Sequence, residues 1–131
     1  MSILTVPEAE RLDHDAATLP VAEIAAYLQR SLGQQMAAFL AGLSDVKQIG
    51  RYAREDGPEP RAAVACRLRH GYKIVRMIGD AYDAETAKAW LVGTNTRLDD
   101  QAPIELLRAA KSPEEFTAVV RAARQLASFQ T

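Results

Sequence analysis

The stretch that decides the fold is AKAWLVGTNTRLDDQAPIELL, which runs from Ala87 to Leu107. Its first part carries the apolar residues Trp90 and Leu91, and the Gly93 that follows is a typical helix stop. A second helix is predicted to begin at Pro103. Proline suits the first position of a helix, because the N–H that it lacks would be unpaired there. The stretch therefore predicts two helices joined by one short polar turn.

Helical patterns also fill the chain on both sides of this stretch. Pro20 predicts the start of the first helix, Gly42 the end of the second, and the residues from about Asp45 to Arg54 a third. A long helix is predicted from about Arg61 to Gly79, and Ser112 is the predicted cap of the last helix. No run of strand length alternates apolar and polar residues, so we predict an all-α fold.

A chain of 131 residues is long enough for one domain with its own core. Within it we expect an N-terminal arm over residues 1–18, a helix-turn-helix module over residues 19–57 and a second helical module over residues 58–131. The prolines and the glycine in residues 56–60 support the later boundary, because they favour turns and interrupt helices.

The composition is ordinary for a globular protein, and the net charge of −1 does not indicate a polyanion partner for the whole chain. No apolar run is long enough to cross a bilayer, and Glu8, Glu10 and Arg11 do not fit a secretory leader. The single cysteine, Cys66, suits a reducing compartment. We therefore expect a cytoplasmic protein that does not contact a membrane.

The helix predicted from Asp45 to Arg54 follows a glycine turn, which is the order of a helix-turn-helix. Its long polar side chains fall on the side opposite its apolar residues. Arginine and glutamine can bond to base edges, and lysine and arginine neutralise phosphates. The candidate DNA-binding residues are Ser44, Lys47, Gln48, Arg51 and Arg54. The alternative is that these residues only form a solvated helix face.

The long helix is predicted to turn a basic side outward. This side comprises Arg61, Arg67, Arg69, Lys73 and Arg76. His70 lies among these residues and is expected at the surface. Gly71 in the middle of the helix costs about 1 kcal/mol relative to alanine, and close packing by a crossing helix would explain it.

The last helix is predicted to bury its apolar residues and to leave Arg121, Arg124 and Gln125 outside. Phe129 follows, and the sequence ends at Thr131. Long donors and an exposed aromatic residue at one end of a helix are typical of a surface that binds a protein partner.

No residues assemble into a predicted catalytic or metal site. Asp13, His14 and Asp15 are adjacent, so they cannot all point at one ion from a regular element, and Asp99 and Asp100 are expected in an exposed turn. The sequence has no glycine-rich phosphate loop and no histidine pair at metal spacing. We therefore expect no enzymatic activity, no cofactor and no metal.

The order of Trp90, Asn95, Leu98, Pro103 and the apolar pair at 106–107 resembles the C-terminal toxin-binding domain of the Xre/MbcA/ParS antitoxins. With the helix-turn-helix pattern upstream, the resemblance covers roughly residues 20–126 and is closest to MbcA-like members. Members of this family tend to have glycine in the turn where this chain has two aspartates. Taken singly, the same residues also fit a core tryptophan, a turn asparagine and a first-position proline.

The resemblance implies an antitoxin of a type II toxin–antitoxin system. Such an antitoxin binds a RES-domain toxin that degrades NAD, occludes its active site and represses its own promoter DNA as a homodimer or a toxin–antitoxin complex. The toxin-binding candidates are then Arg121, Arg124, Gln125, Phe129 and Thr131, because long donors and a terminal carboxylate suit a pocket built for the phosphates and ribose of NAD. The alternative is an orphan helix-turn-helix transcriptional regulator without a toxin partner.

Overall fold

The computed structural model describes residues 5–128, and this part of the chain forms eight α-helices. They are α1 (Val6–Thr18), α2 (Val21–Leu32), α3 (Gln34–Ala41), α4 (Gln48–Tyr52), α5 (Ala62–Ala81), α6 (Ala84–Val92), α7 (Pro103–Ala109) and α8 (Pro113–Ser128), with a 3₁₀ turn (Thr96–Leu98) between α6 and α7. Apart from one isolated bridge between Asn95 and Gln101, these residues contain no β-structure. The prediction of an all-α fold is confirmed.

The central helix is α5, which packs against α1, α2, α3, α6, α7 and α8. Its buried residues run along its whole length, and Leu68 and Ile74 are completely buried. Gly71 faces α3 at close range, because a Cβ atom built there would lie 2.5 Å from Cδ2 of Leu40. The prediction that a crossing helix explains this glycine is confirmed.

The stretch from Ala87 to Leu107 forms two helices joined by a polar turn, as predicted. Asp83 caps α6 with its side chain, and Pro103 opens α7 at the first helical position. Between the two helices, Asp99 and Asp100 take left-handed φ angles of 56° and 62°. Both aspartates are therefore turn residues, and two consecutive left-handed residues reverse the chain so that α7 packs against α6.

The expected N-terminal arm needs correction, because residues 6–18 form α1. Thr5 and Glu8 make a reciprocal capping box at its start, with each side chain accepting a hydrogen bond from the other residue's N–H. Leu12 and Ala16 lie one turn apart and are buried in the core. The cap and this apolar pair were local signals of a helix in the sequence.

The helix expected from Asp45 to Arg54 is shorter in the structure, where α4 has only the five residues Gln48–Tyr52. Gly42 ends α3, as predicted, and it does so in the left-handed conformation. The Asp45 carboxylate accepts a hydrogen bond from the N–H of Lys47 at 3.0 Å. This bond is an Asx turn, and the chain turns at residues 46–47 before α4 begins.

The core is continuous from α1 to α8. Ile24 of α2 and Leu40 of α3 belong to the same hydrophobic cluster as Leu68 of α5 and Phe116 of α8. Helices α1 and α8 therefore each cover part of α5. Between residues 5 and 128, no helix is both long and apolar enough to cross a membrane.

Candidate functional site

The last helix, α8, has one buried and one exposed side. Phe116 and Ala123 are buried in the core, while Arg121, Arg124 and Gln125 are exposed on the other side. The structure therefore places these three donors where the sequence predicted them.

The remaining predicted toxin-binding residues, Phe129 and Thr131, lie outside the described residues. Of the three donors on α8, Arg121 has no hydrogen-bond or ion-pair partner among residues 5–128. Arg124 has one acidic neighbour, since its Nη2 lies 3.8 Å from Oδ1 of Asp13.

A cleft of about 280 Å³ lies between α5 and α8, beside these donors. Lys73 from α5 lines it together with Thr117, Arg121 and Arg124 from α8. Within residues 5–128, the acidic side chain paired with these cations is Asp13 of α1, whose Oδ1 lies 2.7 Å from Nζ of Lys73. Three cations against one carboxylate leave the cleft positively charged.

His70 also lines this cleft, contrary to the expected surface position. Its ring stacks on that of Phe116, with centroids 4.0 Å apart and planes at 4°. Its Nδ1 lies 2.9 Å from the carbonyl oxygen of Cys66, which can only accept, so Nδ1 carries the proton of the neutral ring. Burial lowers the pKa of His70, and the charge of Lys73 lowers it further, while the bond to Cys66 opposes this shift.

Of the basic residues predicted to face outward, Arg61 is exposed, but Arg67 and Arg69 are partly buried. Arg67 donates from Nη2 to the carbonyl oxygen of Ala110 at 3.1 Å, and Arg69 donates from Nη1 to that of Leu19 at 2.8 Å. Those carbonyls lie just after the C-terminal ends of α7 and α1, where main-chain acceptors lack helical partners. The two arginines therefore hold neighbouring helix ends against α5.

The predicted DNA-binding residues lie around α4. Ser44, Lys47, Arg51 and Arg54 are exposed, and Gln48 is partly buried. This surface comprises the turn before α4, one side of the helix and the residues that follow it.

Acidic neighbours reduce the positive charge of this surface. Arg51 lies 3.8 Å from a carboxylate oxygen of Asp45 and donates to Oε1 of Gln48 at 2.6 Å. Arg54 lies 3.4 Å from a carboxylate oxygen of Asp56. Both ion pairs are exposed, so they are weak and can exchange for phosphate contacts.

The structure also contains an apolar groove that the sequence did not predict. It has a volume of about 570 Å³ and lies between α3, the turn before α4 and α7. Its apolar lining comprises Met36, Phe39, Leu43, Val46, Val92 and Ile104. Arg108 lies on one side, where it donates to the carbonyl oxygen of Phe39 at 2.8 Å and lies over its ring. Helical spacing marks the α3 residues as core and does not reveal that they stay partly exposed.

Among the residues that the structure describes, no group of three histidine, cysteine, aspartate or glutamate side chains is placed to hold a metal ion. The chain matches no model of a known protein family, no curated protein and no solved structure at a significant level. The candidate function therefore rests on the surfaces described above and on the sequence resemblance.

Proposed function

We propose that this chain is an antitoxin that binds a RES-domain, NAD-degrading toxin through the exposed side of α8 and blocks access to the toxin's active site. The observation that carries the proposal is the position of Arg121, Arg124 and Gln125. The fold leaves these three long donors exposed on one helix face beside a positively charged cleft.

These donors suit a protein interface. Arginine can bind a carboxylate through two parallel hydrogen bonds, and it is enriched among the residues that dominate binding energy. The opposite side of α8 fills the core, so the exposed donors contribute little to folding and remain available to a partner.

The stretch from Ala87 to Leu107 supports the same proposal, because its residue order resembles the toxin-binding domain of the antitoxin family. Its second helix, α7, packs against α8 and so helps to fix the direction in which the donors of α8 point. The resemblance and the exposed donors thus fall in one region of the molecule.

Mixing the purified chain with a purified RES-domain toxin tests this proposal, and a gene for such a toxin beside that of this chain would identify the cognate one. Consumption of NAD should fall as the chain is added, and the two proteins should elute together in gel filtration. Full toxin activity and separate elution, with both proteins folded, would overturn the proposal.

A second role, repression of its own promoter as a homodimer, is favoured by the exposure of Ser44, Lys47, Arg51 and Arg54 around α4. A helix of five residues is only about 7.5 Å long. The first residues of a recognition helix make most of its base contacts, so the short α4 and the turn before it can still enter a major groove. A two-fold dimer would hold two such helices about 34 Å apart.

The DNA-binding role predicts that Lys47→Ala/Arg51→Ala weakens the mobility shift of the promoter DNA. Each lost base-edge pair typically costs about 1–3 kcal/mol. The variant Arg121→Gln/Arg124→Gln is the matched control, because it removes two cations from α8 and should shift the DNA like the parent. An unchanged shift with Lys47→Ala/Arg51→Ala would place DNA binding elsewhere.

A further inference from the structure

The acidic side chain that α1 places against two cations of the cleft between α5 and α8 indicates what this cleft can bind. Oδ1 of Asp13 lies 2.7 Å from Nζ of Lys73 and 3.8 Å from Nη2 of Arg124. A carboxylate carried by a helix therefore fits between these two cations. Arg121 lies one turn before Arg124, and among residues 5–128 no acidic side chain is paired with it.

We infer that this cleft binds an acidic peptide segment of a protein partner and that Asp13, which pairs with two of the cleft's cations in the isolated chain, is an internal competitor. The inference rests on the proposed function in one respect, since the toxin is the expected source of the segment. It adds the chemistry of the bound segment and a residue of this chain that opposes its binding.

The spacing of the cations matches a helical acidic segment. Arg121 and Arg124 are three residues apart on α8, so a partner helix with carboxylates one turn apart can meet both. Lys73 supplies a third cation from α5, and the exposed Thr117 of α8 adds a hydroxyl to the lining.

An extended polyanion such as DNA fits this place less well. Glu114 and Glu115 are exposed at the start of α8, next to Pro113, which lines the end of the cleft. A nucleic-acid backbone that follows α8 would pass these two carboxylates. A short peptide segment that ends within the cleft avoids them.

Asp13 is placed to exchange with a partner carboxylate. Its side chain is 50% exposed while that of Lys73 is 22% exposed, so water and an incoming carboxylate can reach this ion pair from the Asp13 side. Its helix, α1, is held separately, because Leu12 and Ala16 are buried and Arg69 donates to the carbonyl oxygens of Ala16 and Leu19. The carboxylate can therefore leave the cations while α1 stays folded on α5.

Fluorescence anisotropy with the full chain and a labelled helical peptide tests the inference. This peptide carries glutamates at successive positions three and four residues apart. A control peptide carries glutamines at the same positions. The glutamate peptide should bind and the glutamine peptide should not. Asp13→Asn should tighten binding by about threefold or more, and Arg121→Gln/Arg124→Gln should weaken it by about tenfold.

Glu10→Gln is the matched control, because it removes one negative charge from an exposed position of the same helix. Its affinity for the peptide should stay close to that of the parent. Equal affinities for Asp13→Asn and Glu10→Gln, with both folded by circular dichroism, would overturn the internal competition. Equal binding of the two peptides would overturn the acidic-peptide site.

Inorganic pyrophosphate and a double-stranded oligonucleotide separate the possible sources of negative charge. If either displaces the glutamate peptide at a lower concentration than unlabelled peptide does, the cleft is a phosphate site and the inference is wrong. These measurements need no toxin. If the glutamate peptide does not bind but the chain still inhibits the toxin, the toxin binds α8 outside the cleft and the inference is wrong. If the peptide binds but the chain does not inhibit the toxin, only the proposed function is wrong.

Discussion

The two helices α5 and α8 both carry rows of arginines, but the two rows have different surroundings. Arg67 and Arg69 of α5 donate to main-chain carbonyls beyond the ends of α7 and α1. Arg121 and Arg124 of α8 are exposed, and only Arg124 has an acidic neighbour within residues 5–128. An arginine that reaches the end of a neighbouring helix stabilises the fold. An arginine with no helix end within reach remains available to a partner.

The comparison makes opposite predictions for substitutions in the two rows. Removing an arginine of α5 should lower the free energy of unfolding. Removing an arginine of α8 should leave stability nearly unchanged and should affect only the binding of a partner.

The largest effect on stability is expected at Arg67. Arg67→Met keeps much of the aliphatic stem but removes the donor of the Ala110 carbonyl. Hydrogen bonds with a charged partner contribute about 1.5–3 kcal/mol. The buried Nε of Arg67 has no partner, which offsets part of this contribution. We therefore expect the free energy of unfolding to fall by about 2 kcal/mol, measured by urea unfolding followed by circular dichroism.

Arg121→Met is the control for that measurement, because it makes the same change on the exposed side of α8. Its stability should stay within about 0.5 kcal/mol of the parent. If both variants lose the same stability, the distinction between the two rows fails.

A smaller effect is expected at Gly42, which contacts the same arginine. Its φ is +82°, and a Cβ atom there would lie 2.6 Å from Nη1 of Arg67. Left-handed backbone costs a non-glycine residue about 1–2 kcal/mol. The Arg67 guanidinium ends a flexible side chain and can shift, so Gly42→Ala should lose about 1–2 kcal/mol of stability. In the Arg67→Met background the loss should be smaller, because the nearest atoms are gone.

Gly33 provides the matched control for Gly42. Its φ is +88°, but a Cβ atom there would meet nothing within 4 Å. Gly33→Ala should therefore show the backbone cost alone, and Arg67→Met should not change that cost. A cost at Gly33 that depends on Arg67 would show that the two sites are coupled by something other than contact.

The smallest effect concerns pH. Burial, and then the charge of Lys73, lowers the pKa of His70 in the folded state. An unfolded chain has its ordinary histidine pKa of about 6.5 and binds more protons below that pH than the folded state does. Stability should therefore fall as the pH drops from 7.5 to 5.5, and the fall should be shallower in His70→Gln. Urea midpoints at the two pH values measure it, and identical slopes would contradict this account of His70.

The parts of the molecule that were predicted from the sequence depend on local signals. The helix stop at Gly93 and the restart at Pro103 each act within a few residues, and the exposure of Arg121 follows from the period of its own helix. The structure therefore places them as expected. Helix α1 also has local signals, which are its capping box and its buried apolar pair. It has few large apolar side chains, however, and this scarcity favours the prediction of an arm.

The features that the sequence did not predict depend on distant residues. Arg69 was expected to face solvent, but it meets Ala16 and Leu19 from a helix fifty residues away in the chain. His70 was expected at the surface, but Phe116 of α8 stacks on it. The period of α5 gives the direction of each side chain and contains no information on which other helix covers it.

The central claim is that the arginines of α8 bind the partner and do not hold the fold. It is tested most directly by the affinity of the purified RES-domain toxin for Arg121→Gln/Arg124→Gln, measured by calorimetry. The charge-matched control is Arg30→Gln/Arg61→Gln, which removes two exposed cations from α2 and the start of α5. The α8 variant should bind at least about tenfold more weakly while its stability stays within about 0.5 kcal/mol of the parent, and the control should bind like the parent. Parental affinity in a folded α8 variant would contradict the claim.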